Sequence, residues 1–221
     1  MQDLIAQEQF ELEVLDRLNS RRLLSSLVFG GGTMLRLCCG LNRFSVDLDF
    51  WMLKELDSDA FLKKLLDCLA HDYSIKDSAN KFYTLVCELK SKNYPRSLKL
   101  EIRKAPQKVL TEQAIAYSRY STTQVLLTVV SLGDMMKSKI AAFLERKEIR
   151  DVFDMEFLFK RGVPLNAPPD TLAKIAKQIE AFKTQDYTVK LCSLLEDDQR
   201  KYYAAENFKI LKLAIREKTG V

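Results

Sequence analysis

Two carboxylates two residues apart, Asp47 and Asp49 in the segment SVDLDFW, carry the strongest chemical signal in the chain. Alternation along a strand turns side chains i and i+2 to one face, so both acids project together while Leu48 and Phe50 enter the opposite layer. Two like charges held that close repel unless a cation sits between them. Hard oxygen ligands facing one way suit Mg²⁺ or Mn²⁺ bridging a nucleoside triphosphate. Upstream, Gly30, Gly31 and Gly32 follow the apolar run Leu27, Val28, Phe29 and precede a helix-like stretch from Met34 to Cys39. Glycines at that place let backbone N–H groups approach an anion at a helix start, and Thr33 adds a hydroxyl. The run is not a Walker A loop, since no Lys-Ser/Thr follows at that spacing, and it is too short for GxGxxG. Alone, the acids read as a solvated strand end and the glycines as a tight turn. Their order and spacing together point to a metal-bound triphosphate.

The remaining residue types narrow the chemistry. The single histidine, His71, lies beside Asp72 at a helix end and reads as a surface residue, so a histidine base or a histidine-rich metal site is excluded. The five cysteines form no CxxC pair, which argues against a disulfide framework and against structural zinc. Cys38 and Cys39 follow the glycine turn without a histidine partner and are not expected to act as nucleophiles. Acids, lysines and arginines must do the work. A net charge of +5 suits a polyanionic partner without establishing one. The acidic N-terminal segment and the absence of any apolar run of roughly 18 residues predict no membrane span and a cytoplasmic, soluble protein.

These residues need elements to hold them. Apolar spacing predicts an amphipathic helix over residues 3 to 18 with a bland charged face. A strand, glycine turn and helix follow, then a strand from Asp47 to Leu53 and a helix over 58 to 70. Further strands are predicted at 81 to 89, 97 to 103 and 122 to 130. Ser131 and Asp134 open a long helical stretch through Arg146, after which the chain reads as all-helical. A break falls at Gly162 and NAPPD, with helices at 170 to 183, 186 to 196 and 200 to 217. Tyr202, Tyr203 and Phe208 read as helical core. The fold class is α/β (α+β): a mixed β-sheet flanked by helices in residues 1–130, then a helical C-terminal region, 131–221, expected to complete the active-site cleft.

The pattern hG[G/S], a short helix and Dh[D/E]h resembles the signature of the nucleotidyltransferase superfamily, the DNA polymerase β-like fold. The longer string GGTMLRLCCGLNRFSVDLDF is similar to the AbiEii toxin family of abortive-infection toxin–antitoxin systems. The matching residues are Gly31, Gly32, Thr33, Leu35 and Arg36, then Arg43, Phe44, Ser45, Asp47, Asp49 and Phe50. The family often has Lys before GGT, where this chain has Gly30. A second block, KSKIAAFLERKEIRDVFDMEFL at 137 to 158, resembles the family's K-h-x-A-x(3)-R-x(3)-RD-hh-D segment through Lys139, Ala142, Arg146, Arg150, Asp151 and Asp154. On one continuous helix, Arg146 and Arg150 would lie within about 20° of Lys139, three cations along one edge able to grip a triphosphate.

The resemblance implies a metal-dependent, NTP-consuming nucleotidyltransferase that moves a nucleotide to an acceptor hydroxyl, with tRNA or other RNA 3′ ends as acceptor and a cognate antitoxin as partner. It also implies a third carboxylate on a later strand. Glu101 in LKLEIRK is the candidate, with Leu98, Leu100 and Ile102 on the other face. Asp47, Asp49 and Glu101 are then the ligands for Mg²⁺ or Mn²⁺, and Lys139 and Asp151 complete the catalytic set. Gly31, Gly32, Thr33, Arg36, Arg43, Ser45, Arg146 and Arg150 are the nucleotide-binding candidates. Asp151 either orients Lys139 or Arg150 or takes a direct part. Two rivals remain in view: a nucleotidyltransferase acting on a protein or small molecule, and a non-catalytic nucleotide-binding module.

Overall fold

The computed structural model describes residues 1–220. The chain forms two compact units that divide after Ser131. The first is α/β. Helix α1 (Gln2–Ser20) leads through a 3-10 turn (Leu23–Ser26) into β1 (Leu27–Gly30) and α2 (Gly31–Cys39). Next come β2 (Asp47–Met52), α3 (Ser58–Leu69), β3 (Ser74–Asn80), β4 (Thr84–Lys90), β5 (Leu98–Arg103), β6 (Thr111–Ala116) and β7 (Val125–Val130).

The strands make one mixed sheet in the order β3-β4-β5-β2-β1-β7-β6. Strand β2 at its centre runs antiparallel to β1 and parallel to β5. Register explains the core. Leu27, Phe29, Leu48, Phe50, Met52, Leu100 and Ile102 pair across neighbouring strands on a single face, and each is buried. Period-two alternation therefore sends the intervening residues, among them Asp47 and Asp49, to the opposite face. Helix α3 begins with a side-chain cap, the Asp57 carboxylate accepting from the amides of Asp59 and Ala60, which offsets two of the orphan donors of its first turn.

Two strands fall outside the sequence expectation. Strands β3 and β6 are the sheet edges. Their residues are mostly exposed and polar, so neither carries the apolar alternation that marks a half-buried strand. Strand β4 begins at Thr84 rather than at residue 81, because the Lys81 amide closes the hairpin on the Thr84 carbonyl and leaves Phe82 and Tyr83 exposed.

The second unit is helical: α4 (Leu132–Arg146), α5 (Ile149–Lys160), α6 (Pro169–Glu180), a π-helical turn (Asp186–Leu191) with a 3-10 turn (Cys192–Leu194), then α7 (Asp197–Glu206) and α8 (Lys209–Thr219). The single helix expected through the 137 to 158 block is absent. Lys147 is left-handed at φ 55° and Glu148 is extended, so α4 stops and α5 starts anew. Residues 200 to 217 likewise divide, at left-handed Asn207 and Phe208. The restart of α8 is met by Glu156, fully buried, whose carboxylate accepts from the Leu211 amide at 3.1 Å and from Lys160 Nζ at 2.7 Å. A buried anion at a helix N-terminus satisfies an orphan donor and opposes the positive end of the helix dipole. Tyr203 and Phe208 are buried, as their spacing predicts. Among the described residues no helix is long and apolar enough to cross a membrane.

Candidate active site

The glycine turn is built around Asp49. Gly30 closes β1 opposite Asp49 in the antiparallel ladder, and Gly31, at φ +76°, opens α2. A Cβ on Gly31 would lie 2.2 Å from Asp49 Oδ2. The carboxylate therefore packs on the first turn of α2, where amides and helix dipole favour negative charge. Gly32 is as tightly used: a Cβ there would meet Arg43 Nη2 at 2.6 Å and Ser45 Oγ at 2.8 Å. Gly31, Gly32, Arg43, Ser45 and Asp49 are thus brought together in one small volume. Arg43 is 2% exposed and donates to the Phe44 carbonyl at 2.9 Å.

Two nucleotide-binding candidates are placed differently. Thr33 is fully buried, and its hydroxyl donates to the Asp47 carbonyl at 2.5 Å, tying α2 to the start of β2. Arg36 donates to Glu8 Oε2 of α1 at 2.8 Å and to the Leu41 carbonyl at 3.0 Å, with its guanidinium 4.4 Å from the Phe44 ring centroid. Both residues secure the scaffold around the turn.

The carboxylates share one face of adjacent strands. In the parallel β2–β5 register Asp47 stands opposite Lys99 and Asp49 opposite Glu101. Glu101 pairs with Lys99, two residues away on its own strand. The Lys99 ammonium is pushed above the usual lysine range, first by its hydrogen bond to Glu101 and further by the charges of Asp47 and Asp49. Among the described residues no three ligating side chains gather into a metal cage. Mg²⁺ ordinarily takes one or two carboxylates and completes its shell with water and substrate phosphates. Asp47 and Asp49, facing one way with Asp49 seated against a glycine cradle, fit that form of binding. Glu101 is adjacent in register, with its carboxylate turned to Lys99.

The RDxxD block forms its own cluster in the second unit. Lys139 is 6% exposed, and its Nζ lies 2.7 Å from Asp154 Oδ2 and 3.7 Å from Asp151 Oδ1. Arg146 grips Asp151 with two bonds, Nε to Oδ2 at 2.7 Å and Nη2 to Oδ1 at 2.5 Å. On a continuous helix residues five apart would diverge by about 140°, so this fork can form only with the helix broken between them. Asp151 thus orients Arg146 and sits within reach of Lys139, while Arg150 has its Nε buried with no hydrogen-bond partner. Removing either partner of the buried Lys139–Asp154 pair would strand a charge, at a cost of about 3–5 kcal/mol.

Sequence reasoning missed the polar side of α1. Gln7, Glu8 and Glu11 are all buried. Glu8 accepts from Arg36 and from the Ser118 hydroxyl, whereas both oxygens of Glu11 lack a hydrogen-bond partner. The only available signal was their spacing: Gln7 and Glu11 share the helical face of apolar Leu4, Val14 and Leu15. His71 is exposed, as expected, and its Nδ1 lies 2.8 Å from Asp72 Oδ1. Burial pushes the Cys38 thiol up to about 12, which removes any thiolate at neutral pH.

A family model described as nucleotidyl transferase AbiEii toxin, type IV TA system, matches residues 13–214. No curated protein matches the chain. Among solved structures, a Helicobacter pylori protein assigned as a nucleotidyltransferase superposes with a TM-score of 0.58 at 19% identity, covering 95% of this chain and 97% of that one. JHP933 from Helicobacter pylori superposes with a TM-score of 0.56, also at 19% identity, over 97% of this chain and 95% of the other. At such identity these likenesses concern the fold.

Proposed function

Since the chain belongs to the AbiEii nucleotidyl transferase toxin family, we propose that it transfers a nucleoside monophosphate from an NTP to an acceptor hydroxyl at an RNA 3′ end, with a divalent metal bound. The observation that carries this reading is the seating of Asp49 on the Gly31 turn, with Asp47 on the same strand face. Asp47 and Asp49 are the residues that would hold Mg²⁺ or Mn²⁺, with Glu101 adjacent in register and paired to Lys99; the metal would supply neutralisation of the triphosphate and activation of the attacking hydroxyl. The amides that open α2 hold the phosphate chain, and Arg43 and Ser45 brace the turn from below. The acceptor oxygen bonds to the α-phosphorus, the bond from that phosphorus to the bridging oxygen breaks, and pyrophosphate leaves. The hydroxyl proton passes to the carboxylate pair. The family's type IV toxin–antitoxin character implies an antitoxin partner. We place the reaction in the cytoplasm, where NTPs and RNA meet.

The test is transfer of label from each of the four α-labelled NTPs to total RNA with Mg²⁺ present. Asp47→Ala should reduce incorporation by at least about 100-fold while the melting temperature stays within a few degrees. Full incorporation by that variant would sink the reading, and label appearing in protein instead of RNA would reassign the acceptor.

A further inference from the structure

A cavity of about 700 Å³ opens beside Asp47 at the end of the sheet where β2 begins, and its lining includes Gln7, Lys76, Lys90, Arg96 and Ser97. The three cations are exposed. Lys76 Nζ lies 2.7 Å from Glu88, and Lys90 Nζ donates to the Pro95 carbonyl at 2.8 Å, which holds its charge at the rim. Gln7 supplies the opposite kind of group. It is fully buried, and its Nε2 donates to the Val46 carbonyl at 3.3 Å and the Ser97 carbonyl at 3.5 Å, but its Oε1 has no hydrogen-bond partner. A buried amide oxygen without a donor is costly to leave so, and the residue that carries it is one of those that line the cavity.

Strand order divides this end of the sheet into two sides. The glycine turn lies on β1, the cationic cavity lies over the β3, β4 and β5 ends, and Asp47 on β2 stands between them. A transfer reaction requires this layout, with donor phosphates on one side of the carboxylates and the incoming hydroxyl on the other.

We infer that the cavity is the acceptor subsite for a single-stranded RNA end. Lys76, Lys90 and Arg96 take the backbone phosphates, Asp47 receives the terminal hydroxyl, and Gln7 Oε1 accepts from a hydroxyl or amino group of the last nucleotide. The inference rests on the nucleotidyltransferase reading. The row of cations selects a polyanionic strand over a protein side chain, and the 2′-hydroxyls of RNA provide donors for Gln7.

The test is fluorescence anisotropy of a 5′-labelled single-stranded RNA with the full chain, titrated between about 50 and 200 mM salt. The triple reversal Lys76→Glu, Lys90→Glu, Arg96→Glu should weaken binding at least tenfold and flatten the log–log salt slope by about 2, near 0.7 per lost phosphate contact. Gln7→Leu should weaken binding severalfold with the slope intact, since it removes no charge. Arg96→Ala, outside any strand, covers the case in which the triple variant fails to fold; it should flatten the slope by about 0.7. Calorimetric NTP affinity should be the same in all of them. Wild-type protein that does not bind RNA, or folded variants with unchanged affinity and slope, would overturn the subsite. RNA binding lost in the variants, but no nucleotide transfer by the wild type to any acceptor, would instead sink the enzymatic reading and leave the RNA site standing.

Discussion

Gly31 and Gly40 share a backbone angle, φ +76° in each, and differ in surroundings: a Cβ on Gly31 would collide with Asp49, while one on Gly40 would meet nothing within 4 Å. The pair separates backbone strain from site geometry. Gly31→Ala and Gly40→Ala should each lose about 1–2 kcal/mol in urea denaturation from the left-handed penalty. Only Gly31→Ala should also displace the Asp49 carboxylate, and a shift near 1 Å lowers transfer on the order of 100-fold. Equal activity in the two variants would contradict the role given to Asp49. At this scale the sequence shows the residue types well, because glycine runs and spaced acids are uncommon and their local geometry follows from chain chemistry. It could not show that Thr33 would spend its hydroxyl on the Asp47 carbonyl or that Arg36 would turn to Glu8, 28 residues away. Those choices belong to partners distant in sequence.

Elements with an apolar period are legible, and their ends are not. Helix α1, strands β1 and β2 and helix α3 lie within a few residues of where periodicity puts them. The exposed edges β3 and β6 carry no such period, since a strand open to water on its faces has no apolar requirement to print in the sequence. The break after Arg146 contains neither Gly nor Pro. It is imposed by packing and by the Arg146–Asp151 fork, which overrides local helix preference. Lys147 then bears a left-handed angle that glycine adopts without strain. Lys147→Gly should therefore hold or raise the unfolding free energy measured in urea, by roughly 0.5–1 kcal/mol once glycine's entropic cost is set against the relieved left-handed penalty, whereas Lys→Gly inside an ordinary helix loses about 1 kcal/mol. A loss of that size at Lys147 would mean that α4 and α5 are continuous in solution.

In the first unit the polar face of α1 holds a buried acid, Glu11, with no hydrogen-bond partner for either oxygen. Burial holds the Glu11 carboxyl well above its ordinary value of 4.5, with Glu8 and Asp47 adding to the rise and Arg36 opposing it. A folded-state value above the unfolded one means that the folded chain binds the extra proton. The contribution to stability is complete below about pH 4.5 and is lost as pH rises through the folded value. Glu11→Gln removes the titration, so its urea midpoint should gain on the parent steadily as pH rises from about 4.5. Parallel midpoint curves for the two proteins would refute the buried, raised acid. The sequence by itself determined the α/β order, the glycine turn, the carboxylate pair and the family motifs, because each is written in residues close together and follows from strand alternation or helix-start chemistry. Only the tertiary structure decided that Asp49 rests on Gly31, that Lys99 answers Glu101, that Arg146 and Lys139 are tied to Asp151 and Asp154, and that Gln7 and Asp47 line one cationic cavity. Such pairings depend on strand register and on which face each helix buries, quantities fixed by the packing of the whole unit and by no local stretch of chain.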